Sequence, residues 1–120
     1  MRTKQELCKL NHCSYALHDH LVLVTKYRRK CITAAMMEHL EEISRDRCAG
    51  WGGELLEMNG EADHIHLLVS LPPTAELSRF VNTIKTTTSR LIRRDFAGHL
   101  GSFYGKPVFW SGSYCIISSG

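Results

Sequence analysis

The chain has 120 residues, of which 43% are hydrophobic, and a formal net charge of +3. This length and composition exclude a disordered chain and predict one small domain with a hydrophobic core. The apolar runs are far shorter than the roughly 20 residues that span a bilayer, and no P-loop for a nucleotide occurs. Five cysteines without a Cys-x-x-Cys pair, and a polar N-terminus, predict a reduced, cytoplasmic protein without a signal peptide.

The predicted elements alternate between strand and helix patterns along the chain. A β-branched run ending at Thr25 indicates the first strand. Thr33 as N-cap and Gly50 as stop bound a first helix, and Thr74 as N-cap begins a second one. The full set of predictions is a strand over 14–25, a helix over 33–50, strands over 54–59 and 64–71, a helix from 74 to about 96, and a last strand in two pieces, 108–110 and 113–118.

The order strand, helix, strand, strand, helix, strand is typical of the split βαβ, ferredoxin-like fold. The predicted fold class is therefore α+β, with an antiparallel sheet and both helices packed on one face. Residues 60–63 are interpreted as the hairpin turn between the second and third strands. The opposite face of the sheet is expected to remain free for a ligand.

His64 and His66, with Ile65 between them and Asp63 beside them, are the main candidate site residues. Side chains on a strand alternate between faces, so the two imidazoles share one face about 7 Å apart at ~3.3 Å per residue. Two such imidazoles could hold a divalent metal, or they could be half-exposed histidines without a ligand. Mg²⁺ and Mn²⁺ take six ligands, so further protein atoms, water and a substrate would complete the shell.

Other candidates are less specific. In the pair His18 and His20, the first is interpreted as solvated, whereas the second either packs or faces the site. Basic residues could contact phosphates, and Tyr27 could stack on a base. The candidate nucleophiles are Tyr15, Tyr27, Tyr104 and Tyr114. Tyr104, in a Gly-rich loop over 98–105, is interpreted as mobile, and Tyr114 as packed. The candidate DNA contacts are Lys26, Tyr27, Arg28, Arg29, Lys30, Lys85 and Arg90.

Four segments resemble, in the same order, the HUH-type single-tyrosine transposases of single-stranded insertion sequences, the IS200-like TnpA type. They are residues 20–30, residues 63–69 with the His-hydrophobic-His motif, residues 80–85 together with 89–91, and residues 109–115. The similarity covers roughly residues 14–118. Four blocks in order are far more specific than a His-x-His pair alone.

The resemblance implies an enzyme that cuts single-stranded DNA near hairpins at the ends of an insertion sequence. A tyrosine attacks the phosphate and keeps the 5′ end as phosphotyrosine, so rejoining needs no ATP. The resemblance further implies that His64 and His66 bind the metal, Mg²⁺ or Mn²⁺. It also implies a homodimer whose sheets join, in a bacterial or archaeal cytoplasm.

One departure from the family pattern affects the expected activity. In the family, a helix after the last strand carries the nucleophilic tyrosine and, one turn later, a glutamine ligand. No Tyr-x-x-x-Gln occurs here, and the sequence ends at Gly120. The expectation is a single domain over residues 1–120 without that helix, which binds hairpin DNA and does not cleave it.

Two alternatives remain. The first is a non-catalytic nucleic-acid-binding module on the same fold, such as the family's domesticated relatives that act on repeated extragenic hairpins. An RNA-recognition domain would carry aromatic residues on its central strands, and the strand over 64–71 has none. The second is a small metal-binding or structural protein without a DNA role.

Overall fold

The computed structural model describes the backbone of residues 18–119 and the surroundings of side chains 18–117. Tyr15, and the predicted start of the first strand at residue 14, lie outside this range. The elements are β1 (His18–Thr25), a 3-10 turn (Lys26–Arg28), α1 (Ala34–Gly50), β2 (Glu54–Glu61), β3 (His64–Ser70), α2 (Leu77–Asp95), α3 (Ala97–Leu100) and β4 (Trp110–Ser119).

The four strands form one antiparallel sheet in the order β2-β3-β1-β4, with α1 and α2 on one face. Apolar side chains alternate along the two central strands, so that one face of each strand is buried beneath the helices. This arrangement confirms the predicted α+β, ferredoxin-like fold. The buried residues at its centre are Leu21, Leu23, Ile65, Leu67, Val69, Met36, Leu40, Phe80 and Ile84.

Several predicted boundaries were wrong, each because of a local contact. The β2–β3 turn consists of Ala62 and Asp63 alone, since β2 continues through Glu61 in register with His64. Thr74 does not cap α2, because the Ala75 N–H donates to the Pro72 carbonyl at 2.9 Å and closes a separate turn. The N-cap position belongs to Glu76.

The end of α1 and the segment before β4 also differ from the prediction. Gly50 lies within α1, and Gly52 provides the left-handed conformation, φ +78°, that lets the chain reverse. The loop predicted over 98–105 contains the short helix α3, and a single strand, β4, replaces the two predicted pieces. None of the helices within the described range is both long and apolar enough to cross a bilayer.

Thr88 is a buried polar residue that joins the helix layer to β4. Its hydroxyl donates to the Ile84 carbonyl and accepts the indole N–H of Trp110 at 2.8 Å. The indole is itself buried, so this hydrogen bond satisfies a donor that water does not reach. The apolar pattern of α2 could not reveal this contact, because Thr88 is polar.

We predict that Thr88→Val lowers the free energy of unfolding by about 1–3 kcal/mol, since the indole N–H of Trp110 loses its acceptor inside the protein. Valine keeps the shape and the β-branching of threonine. Chemical denaturation followed by circular dichroism measures the change. Thr86→Val, on the exposed side of the same helix, is the matched control and should shift stability by less than about 0.5 kcal/mol. Equal effects at the two positions would contradict the assigned role.

Candidate metal centre and nucleic-acid interface

His64 and His66 lie on the face of the sheet opposite the helices. Ile65 and Leu67 are buried in the core, whereas both histidines are half-buried on the other side of β3. We call this side, with the outward-facing side chains of β1 and β3, the open face. The two imidazoles are therefore placed on one surface, as the strand period requires.

Asp63 holds the His64 ring. Nδ1 of His64 lies 2.9 Å from Oδ1 of Asp63, and Nη2 of Arg28 donates to Oδ2 of the same carboxylate at 3.4 Å. The His64 hydrogen bond, and next the charge of Arg28, lower the pKa of Asp63. An ionised carboxylate only accepts, so His64 donates from Nδ1 and keeps its lone pair on Nε2.

His66 contacts a third imidazole, that of His20 on β1. The two nitrogens, Nδ1 of His20 and Nε2 of His66, are 3.0 Å apart. In the β1–β3 ladder His66 is opposite Val22 and His20 is opposite Leu68, so the two histidines are diagonal neighbours on the open face. His20 therefore faces the site.

The side chains around the pair suit a divalent cation. Glu61, Asp63 and His64 each offer a ligand atom, and these atoms lie within 4.8 Å of one another. Carboxylate oxygens are the ligands that Mg²⁺ and Mn²⁺ prefer, and imidazoles bind transition metals. Glu61, Asp63 and His64, which we call the His64 corner, thus form a donor group that fits the implied metal, and His66 lies two residues along the strand, outside that group.

A strained basic turn lies at the end of β1, beside this corner. Tyr27 and Arg28 both have left-handed backbone angles, φ 58° and 55°, at a cost of roughly 1–2 kcal/mol each for non-glycine residues. The turn leaves the Tyr27 side chain 57% exposed. Strain of this kind persists only where the surrounding contacts over-determine the backbone.

Three cations surround the Tyr27 ring. Nζ of Lys26, Cζ of Arg29 and Nζ of Lys106 lie 5.4, 5.8 and 5.6 Å from its centroid. The hydrogen bond and charge of Lys106, and then the other two charges, lower the pKa of Tyr27. We call residues 26–29 together with Lys106 the basic turn, which places an aromatic ring and positive charges side by side.

Thr25 anchors the basic turn to the β2–β3 turn. Its hydroxyl donates to the Arg29 carbonyl at 2.7 Å, and its N–H donates to the Asp63 carbonyl at 2.9 Å. A groove lined by Val24, Thr25, Lys26, Tyr27, Arg28, Ser111 and Ser113 begins at this junction. The structure thus brings the basic turn and the His64 corner to the same end of the sheet.

The three other predicted DNA contacts, Lys30, Lys85 and Arg90, lie outside the basic turn. Lys30 is exposed just beyond the basic turn. Nζ of Lys85, on α2, donates to the Ser111 carbonyl at 2.8 Å, and burial lowers its pKa. Arg90 is exposed in a groove between the two long helices, next to Glu42 and Asp46. Lys85 and Arg90 therefore belong to the helix layer and not to the open face.

Neither Tyr104 nor Tyr114, two of the four candidate nucleophiles, lies on the open face. Tyr104 was expected to be mobile, which was wrong: it is buried, its hydroxyl donates to the Lys26 carbonyl at 2.8 Å, and burial raises its pKa to about 12. Tyr114 was expected to pack, yet its side chain is 43% exposed, because β4 is an edge strand. It pairs with Leu23, on the helix side of the sheet.

The sequence did not identify Lys106 as a participant of the site, and it did not assign the roles of His20 and Asp63. Lys106 directly follows the loop predicted over 98–105, and no local pattern links it to Tyr27, 79 positions earlier. The partner of His20 could not be chosen, since it depends on the strand register. Asp63 was noticed only as a neighbour of His64, although a carboxylate adjoining a candidate ligand is a usual orienting group.

This fold and open-face histidine arrangement define a small ferredoxin-like domain with a candidate metal site, and comparison with known proteins identifies its family. The profile of the family described as "Transposase IS200 like" matches residues 13–120. The chain belongs to this family of transposases.

Two relatives illustrate the sequence similarity. The ISDra2 transposase TnpA of Deinococcus radiodurans is 31% identical over 104 residues, which cover 87% of this chain and 74% of that protein. The transposase for insertion sequence element IS200 of Salmonella typhimurium is 30% identical over 111 residues, 92% of this chain and 72% of the relative.

Two solved structures share the fold. A protein of Deinococcus radiodurans R1 assigned as a transposase superposes with a TM-score of 0.78 at 28% identity, covering 88% of this chain and 81% of the other. A REP-associated tyrosine transposase bound to a REP hairpin superposes with a TM-score of 0.64. At 12% identity, with 88% of this chain and 57% of the other covered, that likeness concerns the fold alone.

Proposed function

We propose that the chain binds hairpins of single-stranded DNA across its open face and holds a divalent metal, Mg²⁺ or Mn²⁺, at His64 and His66. The observation that carries this proposal is the chain of contacts from Arg28 through Asp63 to His64, at 3.4 and 2.9 Å. These contacts join the basic turn to the His64 corner, so a single strand of DNA can contact both.

His64 and His66 would hold the ion, with Asp63 fixing the tautomer of His64. A divalent ion bound there supplies Lewis-acid polarisation of a phosphodiester. The hydrogen bond from His64, and then the charge of Arg28, lower the pKa of Asp63. The ionised carboxylate accepts the Nδ1–H of His64, which leaves the lone pair of His64 on Nε2. The protein's contribution is to orient donors before the substrate arrives.

We predict that His64→Ala and His66→Ala each lower the affinity for Mn²⁺ at least ten-fold, because each removes a ligand. Asp63→Asn should lower it about 10–100-fold, as loss of an orienting partner typically does. Isothermal titration calorimetry measures the affinity, and circular dichroism verifies the fold. His39→Ala, which removes an imidazole bonded to Asp95 in the helix layer, is the control and should bind Mn²⁺ normally. Unchanged affinity in both histidine variants would remove the proposed site.

The basic turn is suited to an unpaired stretch of DNA. Exposed Tyr27 offers a face on which a base can stack, and Lys26, Arg29 and Lys106 can contact phosphates on either side. Phosphate contacts alone would bind any nucleic acid, whereas stacking requires an unpaired base. The turn therefore favours hairpins with single-stranded flanks over uniform duplexes.

We predict that Tyr27→Ala weakens binding of a hairpin with a single-stranded flank by about 1–3 kcal/mol, the contribution of one stacked base, whereas Tyr27→Phe retains most of the affinity. Fluorescence anisotropy at fixed salt provides the measurement. Arg94→Ala, on the last turn of α2 in the helix layer, is the control, since Arg94 is exposed and paired with Asp95. Equal losses for Tyr27→Ala and Arg94→Ala would show that the effect is not local.

On a denaturing gel, the same samples with Mn²⁺ should show no covalent protein–DNA adduct. Tyr104 is buried with its hydroxyl engaged, and Tyr114 lies on the helix side of the sheet. These positions favour the alternative function, a hairpin-binding module that does not cleave DNA. An adduct would contradict the expectation, and phenylalanine variants at Tyr15, Tyr27, Tyr104 and Tyr114 would identify its source.

We further propose that two chains pair along β4. Within the described residues β4 pairs with β1 on one side and with no strand on the other. It exposes 59% of Ile117 and 43% of Tyr114, an unusual amount of apolar surface for an edge strand.

We predict that the chain elutes as a dimer and that Ile117→Lys shifts it to the monomer, because a charge would be buried at the joint. Light scattering after size exclusion measures the mass. Leu56→Lys, on the opposite edge strand with 38% exposure, should leave the dimer intact. A monomeric wild type would refute the pairing.

A further inference from the structure

His20 and His66 meet edge to edge across the β1–β3 ladder. Nδ1 of His20 lies 3.0 Å from Nε2 of His66, the ring planes differ by 7°, and the ring centroids are 5.2 Å apart. The centroid distance exceeds the nitrogen distance by about the width of one imidazole ring. This occurs only when both nitrogens lie between the rings, near the line joining the ring centres. The two rings are thus nearly coplanar and are not stacked face to face.

Coplanar rings that meet through their nitrogens form a linear N–H···N hydrogen bond. The lone pair and the N–H of an imidazole both lie in the ring plane, and a hydrogen bond is strongest when donor and acceptor are aligned. One ring must donate and the other must accept. The contact therefore couples the tautomer of His66 to that of His20.

The same geometry argues against a shared ion between these two nitrogens. Ligand lone pairs converge on a metal about 2.0–2.1 Å away. Nitrogens facing each other 3.0 Å apart leave no position on their common line at that distance from both. Nε2 of His66 is thus committed to His20, and Nδ1 is the nitrogen left for a cation.

In His64, too, one ring nitrogen is hydrogen-bonded and the other is available for a metal. One of its nitrogens, Nδ1, bonds to Asp63, which leaves Nε2. Metal-binding histidines almost always donate their second ring N–H to an orienting partner. Each histidine of the pair has such a partner, a carboxylate for His64 and an imidazole for His66.

We propose that His20 is a positioning residue of the metal site: its Nδ1 accepts the Nε2–H of His66 and so keeps Nδ1 of His66 deprotonated for the ion. This inference rests on the proposed metal site. The outward-facing β1 residue directly opposite His66 is Val22, which has no polar side-chain atom. His20, the diagonal neighbour, supplies the acceptor that Val22 lacks.

Nuclear magnetic resonance of the histidine nitrogens tests the tautomer directly in the metal-free protein. Wild type should show His66 protonated on Nε2, and His20→Ala should convert His66 to a mixture of tautomers. His20→Asn places an amide oxygen near the position of Nδ1 and should restore the wild-type pattern. An unchanged His66 tautomer in His20→Ala would overturn the proposal.

Mn²⁺ binding supplies the second test. His20→Ala should lower the affinity about 10–100-fold, His20→Asn should recover most of it, and the control His39→Ala should behave as wild type. Electron spin echo spectroscopy should count two coordinated imidazoles in wild type and in His20→Ala at saturating Mn²⁺. Three imidazoles in wild type would make His20 a ligand and overturn the positioning role.

The results of these experiments distinguish a failure of the positioning role of His20 from a failure of the proposed metal site. If His64→Ala and His66→Ala retain Mn²⁺ affinity, the metal site fails and the positioning role fails with it. If those variants lose affinity while His20→Ala binds as wild type does, only the role of His20 is overturned. Thermal unfolding of each variant verifies that lost affinity does not reflect a lost fold.

Discussion

The antiparallel register of β1 on β3 is the constraint on which the open face depends. It places His66 opposite Val22 and His20 opposite Leu68, and it buries Leu21, Leu23, Ile65 and Leu67 on the other side. A slip of one residue would send every one of these side chains to the wrong face. The hydrophobic core therefore fixes the histidine geometry, because the register that buries the leucines is also the register that aligns the imidazoles.

The strained turn after β1 complements this ladder. Left-handed backbone at Tyr27 and Arg28 is unfavourable, yet Thr25, Arg29 and Asp63 hold it through hydrogen bonds at both ends. The side chains of Lys26, Arg29 and Lys106, which would repel one another, gather around the Tyr27 ring. Arg28 reaches the carboxylate of Asp63. The strained backbone of the turn thus exposes positive charge beside a candidate metal site, and the surrounding contacts offset the energetic cost of that strain.

Local patterns in the sequence predicted the sheet, the helix layer and the face shared by His64 and His66, because strand alternation is a property of neighbouring residues. The predictions that were wrong concern segments whose conformation depends on close contacts between residues. β2 continues through Gly60, where a Cβ would lie only 2.3 Å from the His64 carbonyl oxygen, so glycine there permits a pairing that was interpreted as a turn. The His20–His66 and Tyr104–Lys26 contacts join residues 46 and 78 positions apart, which no local pattern reveals.

The helices cover one side of the sheet and leave the other in contact with water. Solvent screens any charge held on that bare side, because a high dielectric constant weakens Coulomb forces severalfold relative to a protein interior. A broad polymer laid across the strands displaces that solvent and strengthens every electrostatic contact beneath it, whereas a small phosphate diester leaves the surroundings wet. If hairpin DNA binds there as proposed, the DNA itself would exclude solvent from the open face, which no segment of the described domain covers.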